Sequence, residues 1–167
     1  MPRKIILTSF QTWLPHQTSN SSDDLLSQLP KHRFSDRYSI LLRGLPVDPQ
    51  KASKRVLLGI EVLKPDAIIC CGMAESRSHL TIESNAECGS RKLKTTVHLA
   101  ALIADIPRIT ISHDAGKFVC EALYYEVLNY IEVKQLPIAC IFVHVPLLNS
   151  SNIRQTIEDF LAIIERI

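Results

Sequence analysis

Two stretches of this chain, Ala67–Cys71 and Ile138–Val145, are almost wholly apolar. The first is bounded by Pro65-Asp66 and Gly72, and the second carries one imidazole, His144, just before its end. A strand with one face in water alternates apolar and polar residues, so runs of this kind need cover on both faces. The cover comes from amphipathic helical patterns that alternate with the apolar runs, joined by short loops. That alternation predicts a three-layer α/β/α sandwich around a mainly parallel sheet. At 167 residues, with 46% hydrophobic and 22% charged side chains, the chain suits a single domain over 1–167 with a proper core.

In chain order, Lys4–Phe10 reads as the first strand, and Ser21 or Ser22 caps a short helix to Leu29, stopped by Pro30. Tyr38–Leu42 is a second strand. Asp48-Pro49 opens a helix to about Leu63, with proline where its missing N–H costs nothing. Leu80–Ile82 is β-like, Gly89–Lys92 is a polar break, and Thr95–Asp105 is helical with Val97, Ala100, Ala101 and Ala104 on one face. The strand Arg108–Ser112 precedes a helix to about Lys134 whose stripe is Val119, Leu123, Val127 and Ile131. Ser150 or Ser151 caps a last helix with Ile153, Ile157, Phe160 and Ile164 inward.

Several function classes fall away. Nineteen Lys and Arg face seventeen Asp and Glu, and the basic residues sit in short clusters such as Lys51–Arg55, which argues against nucleic acid. Pro2-Arg3-Lys4 followed by only three apolar residues does not make a signal peptide. Leu136–Leu148 contains His144 and two prolines and is too short to span a bilayer, so no membrane is expected. Five cysteines, at 70, 71, 88, 120 and 140, show no C-x-x-C spacing. That opposes a disulfide framework and a structural metal, and fits a reducing cytoplasm.

Sites in such sheets form at the carboxyl ends of strands. The loops carrying Phe10–Trp13, Gly72–Ser78, Asp114–Cys120 and His144–Pro146 all leave strand ends and converge on one edge. Cys120 falls in the first turn of its helix, where open N–H groups and the helix dipole favour a thiolate. Buried packing as a small hydrophobe is the alternative. A thiol nucleophile wants an imidazole, and the imidazole an orienting acceptor. His16 and His32 lie in polar connections, His98 in a helix, His79 before a strand and His113 in a turn. His144, at the tip of an apolar strand, is the favoured base, and Glu83 the candidate orienter.

These residues sit in motifs that resemble the pyroglutamyl peptidase I family of cysteine peptidases. Thr8-Ser9-Phe10-Gln11-Thr12-Trp13 resembles its T-G-F-E-P-F loop, Leu45-Pro46-Val47 its L-P-V, and Lys64-Pro65-Asp66 through Gly72-Met73-Ala74 its K-P-D…G-x-A stretch. Arg77–Glu83 resembles R-S-x-I-x-x-E with Leu80 in the isoleucine position. Asp114–Cys120 resembles the A-G-x-[FY]-x-C turn, and Phe142–Pro146 the F-[IV]-H-[VI]-P segment. Glu, Cys and His occur in the family's order.

The resemblance implies hydrolysis of the bond after an N-terminal pyroglutamate in a peptide, through Cys120, His144 and Glu83, with no cofactor and no metal. It implies lactam binding by Phe10, by Trp13 in place of a second phenylalanine, by the main chain at Met73 and by the side chain of Asn20. Self-association into a homo-oligomer is common in the family and stays open here. Ser9, Gln11 and Thr12 depart from the substrate loop, and the segment after Glu83 is much shortened, losing an arginine associated with the family's site. Arg91 is the nearby substitute. A non-hydrolytic relative that binds a small ligand or partner, or a hydrolase of another lactam-bearing amide, is the alternative reading.

Overall fold

The structure is a computed structural model that describes residues 3–30 and 37–167, with the backbone alone at 37 and 38; His32 lies outside the described residues. Among these, six strands form one sheet in the order β2-β1-β3-β8-β4-β7. They are β1 (Arg3–Phe10), β2 (Arg37–Leu45), β3 (Ala67–Met73), β4 (Thr81–Glu83), β7 (Thr110–Ser112) and β8 (Ala139–Val145). Every pairing is parallel except β4 against β8. The expected sandwich is therefore present, with one antiparallel joint.

The two apolar runs became central strands because alternate residues feed opposite cores. Ile69, Cys71, Ile141, Val143 and Val145 join the cluster under α1 (Ser21–Ser27), α3 (Leu99–Leu102) and α5 (Ile153–Arg166). Ile68, Cys70, Cys140 and Phe142 join the cluster under α2 (Pro49–Leu63) and α4 (Val119–Val133). His144 follows Phe142 at the two-residue strand period, so its ring lies on the α4 side. The α4 stripe Val119, Leu123, Val127 and Ile131 is buried as the periodicity predicts.

Six local expectations change. The helix expected over Thr95–Asp105 is only Leu99–Leu102, capped by His98, and it buries Leu99 and Leu102 while Ala100 and Ala101 face solvent. Thr95 is held extended by its N–H to Ser84 O and its hydroxyl to Cys140 O, so a helix cannot begin there. The break at Gly89–Lys92 spans the two-residue turn, Gly89-Ser90, and the start of the second strand of a hairpin, β5 (Asn85–Cys88) and β6 (Arg91–Lys94), with Gly89 at φ +59°. The cap of α1 is Asn20, and the cap of α5 is Asn152; neither is one of the serines. The strand read as Tyr38–Leu42 runs on to Leu45, while β7 keeps only the end of the expected Arg108–Ser112.

Gly72, on β3, packs directly against Cys120 of α4. A Cβ there would fall 2.5 Å from Cys120 Sγ and 2.9 Å from Phe142 Cζ. Gly72→Ala is expected to lower stability by about 1–3 kcal/mol through overpacking in urea titration; an unchanged midpoint would show that α4 rests on the sheet with slack.

Candidate active site

The antiparallel joint builds the site. In the β4–β8 register Thr81 faces His144 and Glu83 faces Phe142, so Glu83 and His144 are diagonal neighbours whose side chains can meet. They do: His144 Nδ1 lies 2.7 Å from Glu83 Oε1, with Glu83 fully buried and His144 nearly so. A carboxylate can only accept, so the ring donates through Nδ1–H and its Nε2 is left as a base. Tyr124, on α4, donates its hydroxyl to the Glu83 carbonyl at 3.0 Å and pins β4 from below. Oε2 of Glu83 is buried without a hydrogen-bond partner among the described residues, a cost seldom retained away from functional sites.

Cys120 occupies the first turn of α4. Phe118, the N-cap residue, supplies no side-chain acceptor, so the first N–H groups of the helix stay open to a ligand. Cys120 and His144 line one cavity of about 260 Å³ together with Phe10, Trp13, Asn20 and Met73. All four residues expected to hold the lactam thus border the cavity that holds the thiol and the imidazole.

Their roles differ from one another. Phe10 is buried, whereas Trp13 is half exposed and stacks on Phe118 with ring centroids 4.7 Å apart. Trp13 therefore borders the cavity with part of its ring in solvent. Met73 ends β3, where Ala74 N–H donates to Val145 O. The Asn20 oxygen already accepts from Ser22 N–H and the Ser22 hydroxyl, and its amide donates to Gln11 O. Only one Asn20 N–H remains for anything in the cavity.

Arg91 does not reach the site. It reaches α4, where it pairs with Glu132 and donates to Asn129 Oδ1 at 2.9 Å. The cation beside the carboxylate is Arg77, whose Nη2 lies 3.7 Å from Glu83 Oε1 and donates to Ser112 Oγ and Asp114 O. Sequence reading quoted Arg77 only as part of the Arg77–Glu83 motif. The signal available was its place six residues before the glutamate, across the loop between β3 and β4. Phe118 was likewise present in the turn motif without a role.

The expected thiolate is not the resting form. Cys120 keeps some surface exposure, yet its thiol is enclosed by protein, and burial pushes its pKa up to about 12, with Cys70 and Glu83 adding to the rise. Burial thus outweighs the helix terminus. No hydrogen bond joins Sγ to the His144 ring among the described residues.

Comparison with known proteins finds likeness in sequence and in fold. A sequence model of the pyroglutamyl peptidase family matches residues 91–161. Pyrrolidone-carboxylate peptidase of Brevibacillus brevis is 25% identical over 155 residues, covering 77% of this chain and 72% of the relative. That of Vibrio vulnificus is 28% identical over 173 residues, covering 87% and 79%. In structure, pyroglutamyl peptidase I of Bacillus amyloliquefaciens superposes with a TM-score of 0.82 at 20% identity, over 99% of this chain and 92% of that one. A pyrrolidone carboxyl peptidase mutant from Pyrococcus furiosus gives 0.82 at 21%, over 97% and 96%.

The neutral thiol has a kinetic consequence. With a pKa of about 12, on the order of 10⁻⁵ of Cys120 is thiolate at pH 7. Ionisation grows as pH rises, so iodoacetamide alkylation of Cys120 is expected to climb about tenfold per pH unit from 7 to 10 without a plateau. A plateau near neutrality in the peptide-mapped rate would instead mean a resting thiolate–imidazolium pair.

Proposed function

We propose that this chain, a divergent relative of the pyroglutamyl peptidases, is a cysteine peptidase that removes N-terminal pyroglutamate from peptides. The observation that carries the reading is one small cavity bordered by a thiol, an imidazole and aromatic rings, with a buried carboxylate fixed behind the imidazole. The unit that acts is the whole domain, 1–167. Its five free cysteines suit a reducing cytoplasm, and no helix among the described residues is long and apolar enough to cross a membrane.

The lactam ring enters between Phe10 and the Trp13–Phe118 pair. His144 Nε2 removes the thiol proton as Cys120 Sγ attacks the carbonyl carbon that links pyroglutamate to the next residue. Proton and bond move together because the resting thiol is neutral. Negative charge passes to the carbonyl oxygen, where the open N–H groups of the first α4 turn receive it. The imidazolium gives its proton to the departing amine, the C–N bond breaks, and a pyroglutamyl thioester remains on Cys120. A water, deprotonated by His144, then attacks the thioester; free pyroglutamate leaves and the proton returns to sulfur. Glu83 holds the ring in the Nδ1–H tautomer and balances its charge while it is protonated. Arg77 holds Glu83 in turn, as a positioning residue.

The test is hydrolysis of a pyroglutamyl-coumarin amide under reducing conditions. Cys120→Ala is expected to abolish turnover and His144→Ala to lower it by about 10²–10⁴-fold. Undiminished turnover by Cys120→Ala would refute the assignment. No turnover by the unsubstituted folded protein would favour the non-hydrolytic reading, whose one structural support is the neutral resting thiol.

A further inference from the structure

A second and larger concavity adjoins the catalytic cavity. It measures about 790 Å³ and lies between α2 and α4, with Glu87 and Cys88 of β5 at one side. The two share Lys117 and Phe118 as lining residues. Both helices begin at the catalytic end: Val47, just before α2, borders the catalytic cavity, and Phe118 is the N-cap of α4. From there they run side by side, far enough for Tyr130 of α4 to donate to Glu61 of α2 at 2.9 Å.

The groove is apolar in its floor and acidic overall. Leu57, Leu58 and Tyr125 supply the apolar surface, and Leu58 is 57% exposed. Four glutamates, 61, 87, 121 and 126, line it against two lysines, 54 and 117. Glu87 is paired with Lys92, but Glu126 has no hydrogen-bond or ion-pair partner among the described residues. The acidic excess therefore lies toward the far end, beyond the apolar stretch. From Phe118 to Glu126 along α4 is about 12 Å, and from Pro49 to Glu61 along α2 about 18 Å, at 1.5 Å per residue. An extended peptide at about 3.3 Å per residue would place some four or five residues in that length.

We propose that this groove receives the peptide that follows the pyroglutamyl group, selecting an apolar residue near the scissile bond and a basic residue several positions on. This rests on the hydrolase reading. The pyroglutamyl cavity then fixes the end of the substrate, and the groove decides which peptides are worked on. An acidic chain would meet Glu126 and Glu61 with like charge, and a single-residue amide would leave the groove empty.

The experiment is fluorescence anisotropy with Cys120→Ala protein and two C-terminally labelled pyroglutamyl hexapeptides. Both carry leucine after the lactam, and one ends in lysines where the other ends in glutamates. The lysine peptide is expected to bind about tenfold more tightly, with Glu126→Lys erasing or inverting that preference and Leu58→Gln weakening both. Equal affinities, unmoved by either substitution, would overturn the proposal. Sedimentation of a dimer that Leu58→Gln dissociates would give the groove to a second copy and overturn it too. Turnover of the short coumarin amide by the unsubstituted protein is read alongside. Its absence counts against the hydrolase reading on which the groove rests, whereas its presence with equal peptide affinities refutes the groove alone.

Discussion

The site depends on one buried hydrogen bond, from His144 Nδ1–H to Glu83 Oε1 at 2.7 Å. It exists because β4 runs against β8 while the rest of the sheet is parallel, which makes the two residues diagonal neighbours. A buried imidazole and carboxylate are costly unless each satisfies the other, and removing one partner leaves the other exposed to that cost. Everything packed round the pair serves to hold it. Tyr124 fixes the β4 backbone, Arg77 brings a positive charge, and Gly72 lets α4 settle close enough for Cys120 to share the cavity.

Chemistry follows from where water is excluded. The enclosure that fixes the His144 ring also raises the Cys120 thiol, so in the proposed reaction sulfur begins neutral and its charge develops only with substrate in place. The oxyanion of the proposed reaction would then meet N–H groups that no side chain has capped. In such a site the helix terminus acts on the reacting oxygen more than on the resting sulfur, a division that local position alone does not reveal.

Much of this was legible in the residues. The unbroken apolar runs dictated burial on two faces and hence the layers, and the fourfold spacing of Val119 to Ile131 fixed the inner face of α4. Cys120 and His144 were readable because strand ends converge, whereas Glu83 gained weight, and the aromatic residues of the first loop their role, only from the motif resemblance. What escaped was governed by long-range hydrogen bonds. Thr95 bonds to Ser84 and Cys140, distant in sequence, and that tie shortens the helix after it. The Gly89 hairpin was hidden because β5 and β6 are short and mostly polar outside Ala86 and Leu93. Arg91 seemed the substitute cation by sequence proximity, but it pairs along α4, and the cation beside Glu83 is Arg77. The thiol's raised pKa depends on three-dimensional enclosure, which one local pattern does not encode.

The central claim is that Cys120 carries the pyroglutamyl group during the reaction. It is tested most directly by mixing the protein with a pyroglutamyl thioester, quenching in acid within the first turnover, and mapping the modified peptide by mass spectrometry. The account predicts one added pyroglutamyl mass, on Cys120, that builds slowly in His144→Ala. An added mass on Cys70, Cys71, Cys88 or Cys140, or rapid turnover with no covalent species, would contradict it.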